Sequence, residues 1–321
     1  MLNRNHSPQP DSPAGPYRWP EVRLGAPCTS VGLTVFPIVN GQGGGGDYIL
    51  LADAVEKNIA TVTEVNRGGD IPVILIENRT KTPLLGIQGE EYIGAKQNRT
   101  LNISVLAGPG KTRIPVTCAE QGRWAPGASN FSAGTYETMA VRMAKNISIA
   151  DTKKSVKDGF AKFFADQGLV WNSIRRDSAR YGASSPTMAM NEMYESAQVK
   201  DPLAEIVDGI EVPADTRGVV VAIGGRLVAA DIFEHPNVFG CIWPRILRSY
   251  GLSALHVKKG VPPSVEVAEA FVSRPGATAW SATPSVGMGE DVRWESKDIL
   301  ASALVWQERF LHATMFSRDA A

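Results

Sequence analysis

Alternating apolar and polar positions dominate the first third of the chain and predict β-strands there. The alternation is clearest over residues 100–106, where Leu101, Ile103 and Val105 share one side, and it returns over residues 113–118 after a Gly-Pro-Gly turn. A tight turn between two such strands is typical of an antiparallel hairpin. We therefore predict that these two segments pair.

From about residue 132 the apolar spacing lengthens to that of a helix, with Tyr136, Met139 and Met143 on one predicted face. The pairs Ser185-Pro186 and Asp201-Pro202 have the capping chemistry of two further helix starts. Strand patterns then return, and they are followed by predicted helices at 236–250 and 264–273 and by four short strands over the last fifty residues.

This order of elements predicts an α+β fold rather than a regular series of βαβ units. We expect one domain over residues 21–316, between a disordered proline-rich tail at 1–20 and a short C-terminal tail at 317–321. Within the domain we predict an N-terminal antiparallel β-rich part at 30–124, a central helical part at 132–210 and a mixed part at 217–316 that ends in a β-meander.

Composition excludes several classes of protein. The 33 Lys and Arg residues balance the 33 Asp and Glu residues, so no broad cationic face for duplex nucleic acid is expected. Three cysteines, at positions 28, 118 and 241, form no CxxC pair, which argues against a disulfide framework and for a reduced, cytoplasmic location. The sequence contains neither a signal-peptide pattern nor an apolar run long enough to cross a membrane.

Two glycine motifs suggest nucleotide binding but fit it poorly. The run from Gly41 to Gly46 formally matches GxGxxG, with Glu64 about twenty residues on. Pro37 in the preceding strand and Asp47 at the following helix argue instead for a surface loop. The Gly110-Lys111-Thr112 segment is followed by a strand rather than by the helix that a P-loop requires, so we interpret it as a hairpin turn.

The histidines do not predict a metal site. The four of them, at 6, 235, 256 and 312, form no zinc-binding pair. Asp231, Glu234 and His235 are metal-ligand types, but a strand end followed by a helix cap explains them as well. We predict no metal and leave the cofactor open.

The densest polar segment lies between two apolar strands, at residues 88–99. Its carboxylates, cations and amides can supply an acid or base and a clamp for anions. Because an antiparallel hairpin returns the chain to its starting edge, these residues should meet those that follow the second strand. We predict Glu90 and Glu120 as acid and base, and the ligand-binding residues are Lys96, Gln97, Asn98, Arg99, Arg123 and Trp124. The alternative is a solvated strand connection.

Two further residues carry two interpretations each, and a third is a candidate ligand-binding residue. Cys118 is a candidate nucleophile beside cationic groups, or a small buried residue on the inner face of a strand. His312, flanked by strand patterns, is a candidate proton carrier or a hydrogen-bonded core histidine. Arg293 belongs to a second polar cluster, predicted to lie on a strand next to that of His312, and is a candidate ligand-binding residue.

Two segments carry a resemblance to a known family: Gly89-Glu90-Glu91 through Arg99, and Ile114-Pro115-Val116 through Trp124. They resemble a bacterial family that is named for its association with ADP-ribosylglycohydrolases and rhodanese/phosphatase-superfamily proteins. The resemblance extends over roughly residues 30–316. It implies work on NAD-derived or ADP-ribose-like compounds, or on nucleic-acid ends, and it brings no catalytic mechanism with it.

Two functional hypotheses follow. The first is a hydrolase or group-transfer enzyme that acts on an ADP-ribose-like or other phosphorylated sugar at the mixed-charge site. The second is a non-catalytic protein that binds a nucleotide or a protein partner, in which the same residues form a structural network. An open pocket lined by Glu90, Lys96, Arg99, Glu120 and Arg123 favours the first hypothesis, and charged groups sealed inside favour the second.

Overall fold

A computed structural model describes residues 17–39, 46–66, 68, 70, 72–124, 130–156 and 159–320. Residues 1–16, and residues 41–45 of the glycine run, lie outside this described part, as do the predictions made for them. Strands and helices are both abundant, and the strands form sheets that are antiparallel apart from one short pair. The predicted α+β fold is confirmed.

The largest sheet has eight antiparallel strands in the order β1-β2-β12-β13-β17-β16-β15-β14. Its last four strands are the predicted C-terminal meander. The bounds are β1 Cys28–Ser30, β2 Leu33–Ile38, β12 Gly218–Ile223, β13 Arg226–Phe233, β14 Trp280–Pro284, β15 Glu290–Glu295, β16 Ile299–Trp306 and β17 Arg309–Ser317.

The predicted β-rich part forms two smaller sheets. The six-stranded sheet has the order β11-β7-β8-β10-β5-β4, with bounds β4 Ala60–Glu64, β5 Val73–Asn78, β7 Glu90–Gly94, β8 Arg99–Leu101, β10 Gly110–Cys118 and β11 Phe131–Tyr136. The three-stranded sheet contains β3 Ile49–Leu50, β6 Leu84–Gly86 and β9 Val105–Ala107, and its β3 and β6 are parallel.

The described residues contain six α-helices: α1 Leu51–Glu56, α2 Met139–Ser155, α3 Gln167–Arg180, α4 Lys200–Asp208, α5 Pro236–Ala254 and α6 Val265–Val272. Side chains cap several of their N-termini. The Thr138 hydroxyl accepts from the backbone N–H of Val141 at the start of α2, and Asp166 accepts from Gly168 and Leu169 at the start of α3. Short 3-10 turns lie at Ala161–Phe163, Met190–Glu195, Arg274–Ala277 and Arg318–Ala320.

The eight-stranded sheet is covered on both faces, which explains why its strand β12 is apolar and buried throughout. In β12, Val219 and Val221 face one core cluster together with residues of α2, α3, α4 and α5, while Val220 and Ala222 face a second cluster with α6. A third cluster fills the β-rich part and includes residues of α1. No helix in the described residues is long and apolar enough to cross a membrane.

Three predicted boundaries are wrong, and the helix predicted to start at Ser185 is replaced in the described residues by the 3-10 turn Met190–Glu195. Residues 132–136 belong to β11 rather than to a helix, because Ser132 and Ala133 pair with Ile93 and Tyr92 of β7. The tail does not extend to residue 20, since Trp19 is buried and its ring lies 5.1 Å from that of Trp294. Nor is the C-terminal end a free tail, because Arg318 donates to Glu295 at 2.7 Å.

The predicted hairpin forms with one difference. Strand β10 pairs with β8, placing Cys118 opposite Arg99. The second half of the predicted first strand leaves this pair as β9 and joins β6 instead, so that the first half of β10 pairs with β5. The end of the hairpin that carries the polar segments is therefore as predicted, and its turn end is not.

Candidate functional site

The open end of the β8–β10 pair brings the two predicted polar segments together. Arg123 is at the centre: its Nε donates to Glu120 Oε1 at 2.9 Å, its Nη1 to the carbonyl of Ala95 at 2.8 Å and its Nη2 to Asn98 Oδ1 at 3.1 Å. The backbone N–H of Asn98 also donates to Glu120 Oε2 at 3.3 Å. The geometric part of the prediction holds for these residues, which we call the hairpin-end cluster: Lys96, Gln97, Asn98, Arg99, Glu120, Arg123 and Trp124.

Arg99, Glu120 and Arg123 of this cluster make their hydrogen bonds to other groups of the protein. The Arg99 side chain is fully buried and donates to Gln97 Oε1 at 3.1 Å and, more weakly, to Glu64 at 3.5 Å. Glu120 is 4% exposed, and its pKa is lowered overall because hydrogen bonds from Arg123 and other donors outweigh burial. Trp124, at 47% exposed, reaches the surface, with Lys96 Nζ 5.1 Å from its ring. The internal contacts of Arg99, Glu120 and Arg123 are those that the second hypothesis expects.

Glu90 does not belong to the cluster, contrary to prediction. Its Oε1 accepts from Arg245 at 2.8 Å and its Oε2 from the backbone N–H of Ile87 at 2.9 Å. Neighbouring residues of a strand face opposite sides, so it is Glu91 that approaches Asn98, at 3.4 Å. Burial raises the pKa of Glu91 to about 7, although hydrogen bonds from Thr135 and Asn98 oppose the shift.

Cys118 is placed as a core residue. Its side chain is buried, and burial raises the pKa of the thiol to about 11, against the opposing effect of Arg99. The thiol form therefore predominates at neutral pH, whereas a nucleophile requires the thiolate. Burial and the raised pKa favour the interpretation of Cys118 as a small buried residue over its interpretation as a nucleophile.

His312 lies in a second buried network, between the eight-stranded sheet and α2. Its Nδ1 is 2.8 Å from Ser104 Oγ and its Nε2 is 3.5 Å from Asp231 Oδ1. Asp231 also binds the buried guanidinium of Arg142 and accepts from Tyr250 at 2.6 Å. Burial lowers the pKa of His312, which favours its neutral form.

This Ser-His-Asp order is that of a hydrolase triad, but the cavity that the described residues form beside it is too small for a substrate. The adjoining cavity measures about 10 Å³, which suits a single water molecule. Arg293 lies on β15, which β16 separates from the strand β17 of His312, so the prediction that their strands are neighbours is wrong. The Arg293 side chain is 4% exposed, and its Nε donates to Asp291 at 2.7 Å. The structure thus supports a core role for His312 and Arg293. In the described part of the chain, no cluster of His, Cys, Asp or Glu is arranged to hold a metal ion.

An open cleft of about 700 Å³ lies on the other side of α2. Met139, Met143 and Ile147, four residues apart on the helix, line it, while Arg142 and Asn146 face the buried network. Ala140 and Ala144 of the same helix also line the cleft. The remaining walls come from α3 and the residue after it, from the β12–β13 turn, from α5 and the segment after it, and from the end of β17 with the 3-10 turn that follows: Arg176, Asp177, Arg180, Tyr181, Ile223, Arg226, Leu227, Val228, Ser253, Val257, Ser317, Asp319 and Ala320.

Three exposed arginines surround an apolar floor in this cleft, which we call the arginine cleft. Arg176 and Arg180 lie one turn apart on α3, and Arg226 approaches from the β12–β13 turn. Between the first two lies Asp177, 7% exposed, whose Oδ2 accepts from Thr138 at 2.6 Å. Burial raises the pKa of Asp177, with Thr138 and both α3 arginines opposing the rise.

Sequence reasoning missed these four residues. The spacing of Arg176 and Arg180 on a predicted helix was a readable signal, because residues four apart share a face. Arg226 follows the Gly224-Gly225 turn, which was identified only as a turn. Nothing in the sequence placed that turn beside α3.

Comparison with known proteins agrees with the resemblance seen in the sequence. Residues 21–316 match the ARPP-1 model, the ARG and Rhodanese-Phosphatase-superfamily-associated Protein domain. The chain belongs to the ARPP-1 family. The ARPP-1 match includes the hairpin-end cluster, the buried network around His312 and the three arginines of the cleft. No curated protein and no solved structure matches the chain. The family name connects ARPP-1 with ADP-ribosylglycohydrolases and with the rhodanese and phosphatase superfamilies.

Proposed function

We propose that this protein binds a phosphorylated, NAD-derived ligand of the ADP-ribose class in the arginine cleft. The observation that carries the proposal is the set of three exposed arginines around an apolar floor, in a cleft of about 700 Å³. Ligand pockets in proteins span roughly 300–1,000 Å³ and combine an apolar lining with a few convergent polar groups.

The cleft suits such a ligand chemically. A guanidinium can donate two parallel hydrogen bonds to a phosphate, so Arg176, Arg180 and Arg226 can hold two phosphate groups. The floor, which includes the buried Met139 and Met143, offers the apolar surface that a nucleobase requires. The association of the ARPP-1 family with ADP-ribosylglycohydrolases supports the ligand class.

The hairpin-end cluster is the weaker candidate for the same ligand. Its acidic and basic groups bind one another, and Arg123 reaches two backbone carbonyls as well. A ligand there would have to replace hydrogen bonds that the protein already makes. We therefore favour a binding protein over a hydrolase that uses Glu90 and Glu120.

Calorimetric titration of the full chain with ADP-ribose tests the proposal. We expect binding, and we expect Arg176→Ala and Arg180→Ala each to weaken it by about tenfold or more, since each removes a charge-assisted contact. Arg175→Ala is the matched control, because Arg175 is exposed on the same helix and does not line the cleft. An unchanged affinity in both cleft variants, or an equal loss in the control, would contradict the proposal.

A further inference from the structure

We infer that Asp177 accepts a hydrogen bond from a ligand hydroxyl, so that the arginine cleft selects ligands with a free pentose diol beside their phosphates. The inference rests on the proposed function and adds to it a residue that determines specificity. Asp177 lies on α3 between Arg176 and Arg180 and lines the cleft. The contacts of its two carboxylate oxygens differ.

One oxygen of Asp177 is held in place. Oδ2 accepts from the Thr138 hydroxyl at 2.6 Å, and Thr138 itself accepts from the backbone N–H of Val141 as the cap of α2. The carboxylate is thereby tied to the start of the helix that forms the floor of the cleft. Its orientation is fixed before a ligand arrives, which reduces the entropy cost of binding.

The other oxygen is available to a ligand. Among the described residues, none donates a hydrogen bond to Oδ1 of Asp177, although the residue is 7% exposed. Oδ1 is not one of the polar atoms that are buried without a partner, so it stays accessible at the cleft, where a ligand hydroxyl can replace water. The raised pKa of Asp177 agrees with an incompletely satisfied carboxylate.

The neighbours of Asp177 specify the kind of donor. Arg176 and Arg180 attract phosphate oxygens, but an ionised carboxylate accepts hydrogen bonds and repels a phosphate placed directly against it. A ligand that satisfies all three residues carries a hydroxyl a short distance from its phosphates. The pentose of a nucleoside diphosphate meets this requirement, and pyrophosphate does not.

Two ligands that differ only in the pentose diol test the inference: ADP and 2′,3′-dideoxy-ADP, titrated into the full chain. Both keep the phosphates and the base, so the contacts with the arginines are the same for both. We expect ADP to bind at least about tenfold more tightly, because a site built around a hydroxyl rejects an analogue that lacks it. This comparison requires no variant.

Asp177→Asn then identifies the residue. Asparagine keeps an acceptor for Thr138 but places an amide donor at the other position, so we expect ADP to bind more weakly and the two affinities to fall within about threefold of each other. We also expect pyrophosphate to bind more tightly than it does to the wild type, because the opposing charge is gone. Asp208→Asn, an exposed carboxylate of α4 that does not line the cleft, is the matched control.

The outcomes separate the two proposals. Equal binding of ADP and dideoxy-ADP to the wild type, with the loss in Arg176→Ala retained, overturns the role of Asp177 and leaves the arginine cleft intact. A preference for ADP that persists in Asp177→Asn also overturns it. Absence of binding by both nucleotides and by ADP-ribose overturns the proposed function together with the inference.

Discussion

Arg142 and Asp231 form a fully buried, bidentate ion pair that connects α2 to the eight-stranded sheet. Nη2 of Arg142 lies 2.5 Å from Asp231 Oδ1, and Nη1 lies 3.0 Å from Oδ2. Burial alone would raise the pKa of Asp231, but the guanidinium outweighs burial and holds that pKa far below its usual range. The ion pair lies directly behind the face of α2 that lines the arginine cleft.

Asp231→Asn is expected to destabilise the fold by about 3–5 kcal/mol, because it leaves the Arg142 guanidinium buried without its counter-charge. Urea denaturation monitored by circular dichroism measures the loss. Asp151→Asn is the control, since Asp151 pairs with Lys154 on the surface, where both side chains are more than half exposed, and we expect a change below about 1 kcal/mol. Comparable losses in the two variants would show that the buried ion pair contributes no more to the free energy of unfolding than the surface pair does.

Most of the polar residues that the sequence predicted as a site make hydrogen bonds or ion pairs to other groups inside the protein. Strand alternation and a tight turn are local signals, so they correctly predicted that residues near Asn98 and Glu120 would meet. Local signals do not reveal whether a charged group faces water. The sequence around Arg99 is the same whether the residue binds a phosphate or is the buried partner of Gln97.

Contacts between residues far apart in the chain determine two features that local sequence patterns do not: the strand at residues 132–136 and the arginine cleft. The apolar spacing through Tyr136 suits a helix as well as a strand, and pairing with β7 determined that residues 132–136 are a strand. Arg226 lies fifty positions beyond Arg176, so their meeting depends on how α3 packs relative to the β12–β13 turn. Charge and turn signals identified neither residue as part of a site.

Glu91 should make stability depend on pH. Its pKa is raised from 4.5 to about 7 in the folded state, so the folded state binds a proton that the unfolded state has already released. The free energy of unfolding is expected to fall as the pH rises from about 4.5 to 7 and to remain lower above that range. Glu91→Gln removes this titration. The free energy of unfolding of the variant minus that of the wild type should therefore be larger at pH 8 than at pH 4, by on the order of 3 kcal/mol.

Denaturant titrations at pH 4, 6 and 8 measure this difference for Glu91→Gln and for the wild type. Glu195→Gln serves as the control, because the Glu195 carboxylate is 59% exposed, and we expect its effect on the pH profile of stability to be smaller than that of Glu91→Gln. A Glu91→Gln profile parallel to that of the wild type would mean that Glu91 is ionised throughout and satisfied by its hydrogen bonds.

The three cysteines should differ in reactivity. Cys241 is exposed and Cys28 is partly buried, whereas Cys118 is buried, with a pKa of about 11. Iodoacetamide at neutral pH should therefore modify Cys241 first and should leave Cys118 unmodified until the protein is unfolded in urea. Peptide mass spectrometry over time provides the order. Modification of native Cys118 as fast as that of Cys241 would restore its candidacy as a nucleophile.

Substitutions in the hairpin-end cluster and in the arginine cleft should have opposite effects. Arg123→Ala removes the partner of Glu120, whose side chain is 5% exposed, and it leaves a nearly buried carboxylate without its cation. Because the Arg123 side chain is itself 28% exposed and water can enter the space it leaves, we expect a loss of about 1–3 kcal/mol in the free energy of unfolding. The affinity for ADP-ribose should be unchanged within about twofold.

Arg176→Ala should show the reverse pattern, with stability within about 0.5 kcal/mol of the wild type, as is usual for exposed positions, and with weaker binding of ADP-ribose. Urea denaturation and calorimetric titration of both variants measure the two quantities on the same preparations. A variant of Arg123 that folds with wild-type stability yet loses ADP-ribose would move the binding site to the hairpin end, where the pattern of charges along the chain first suggested it.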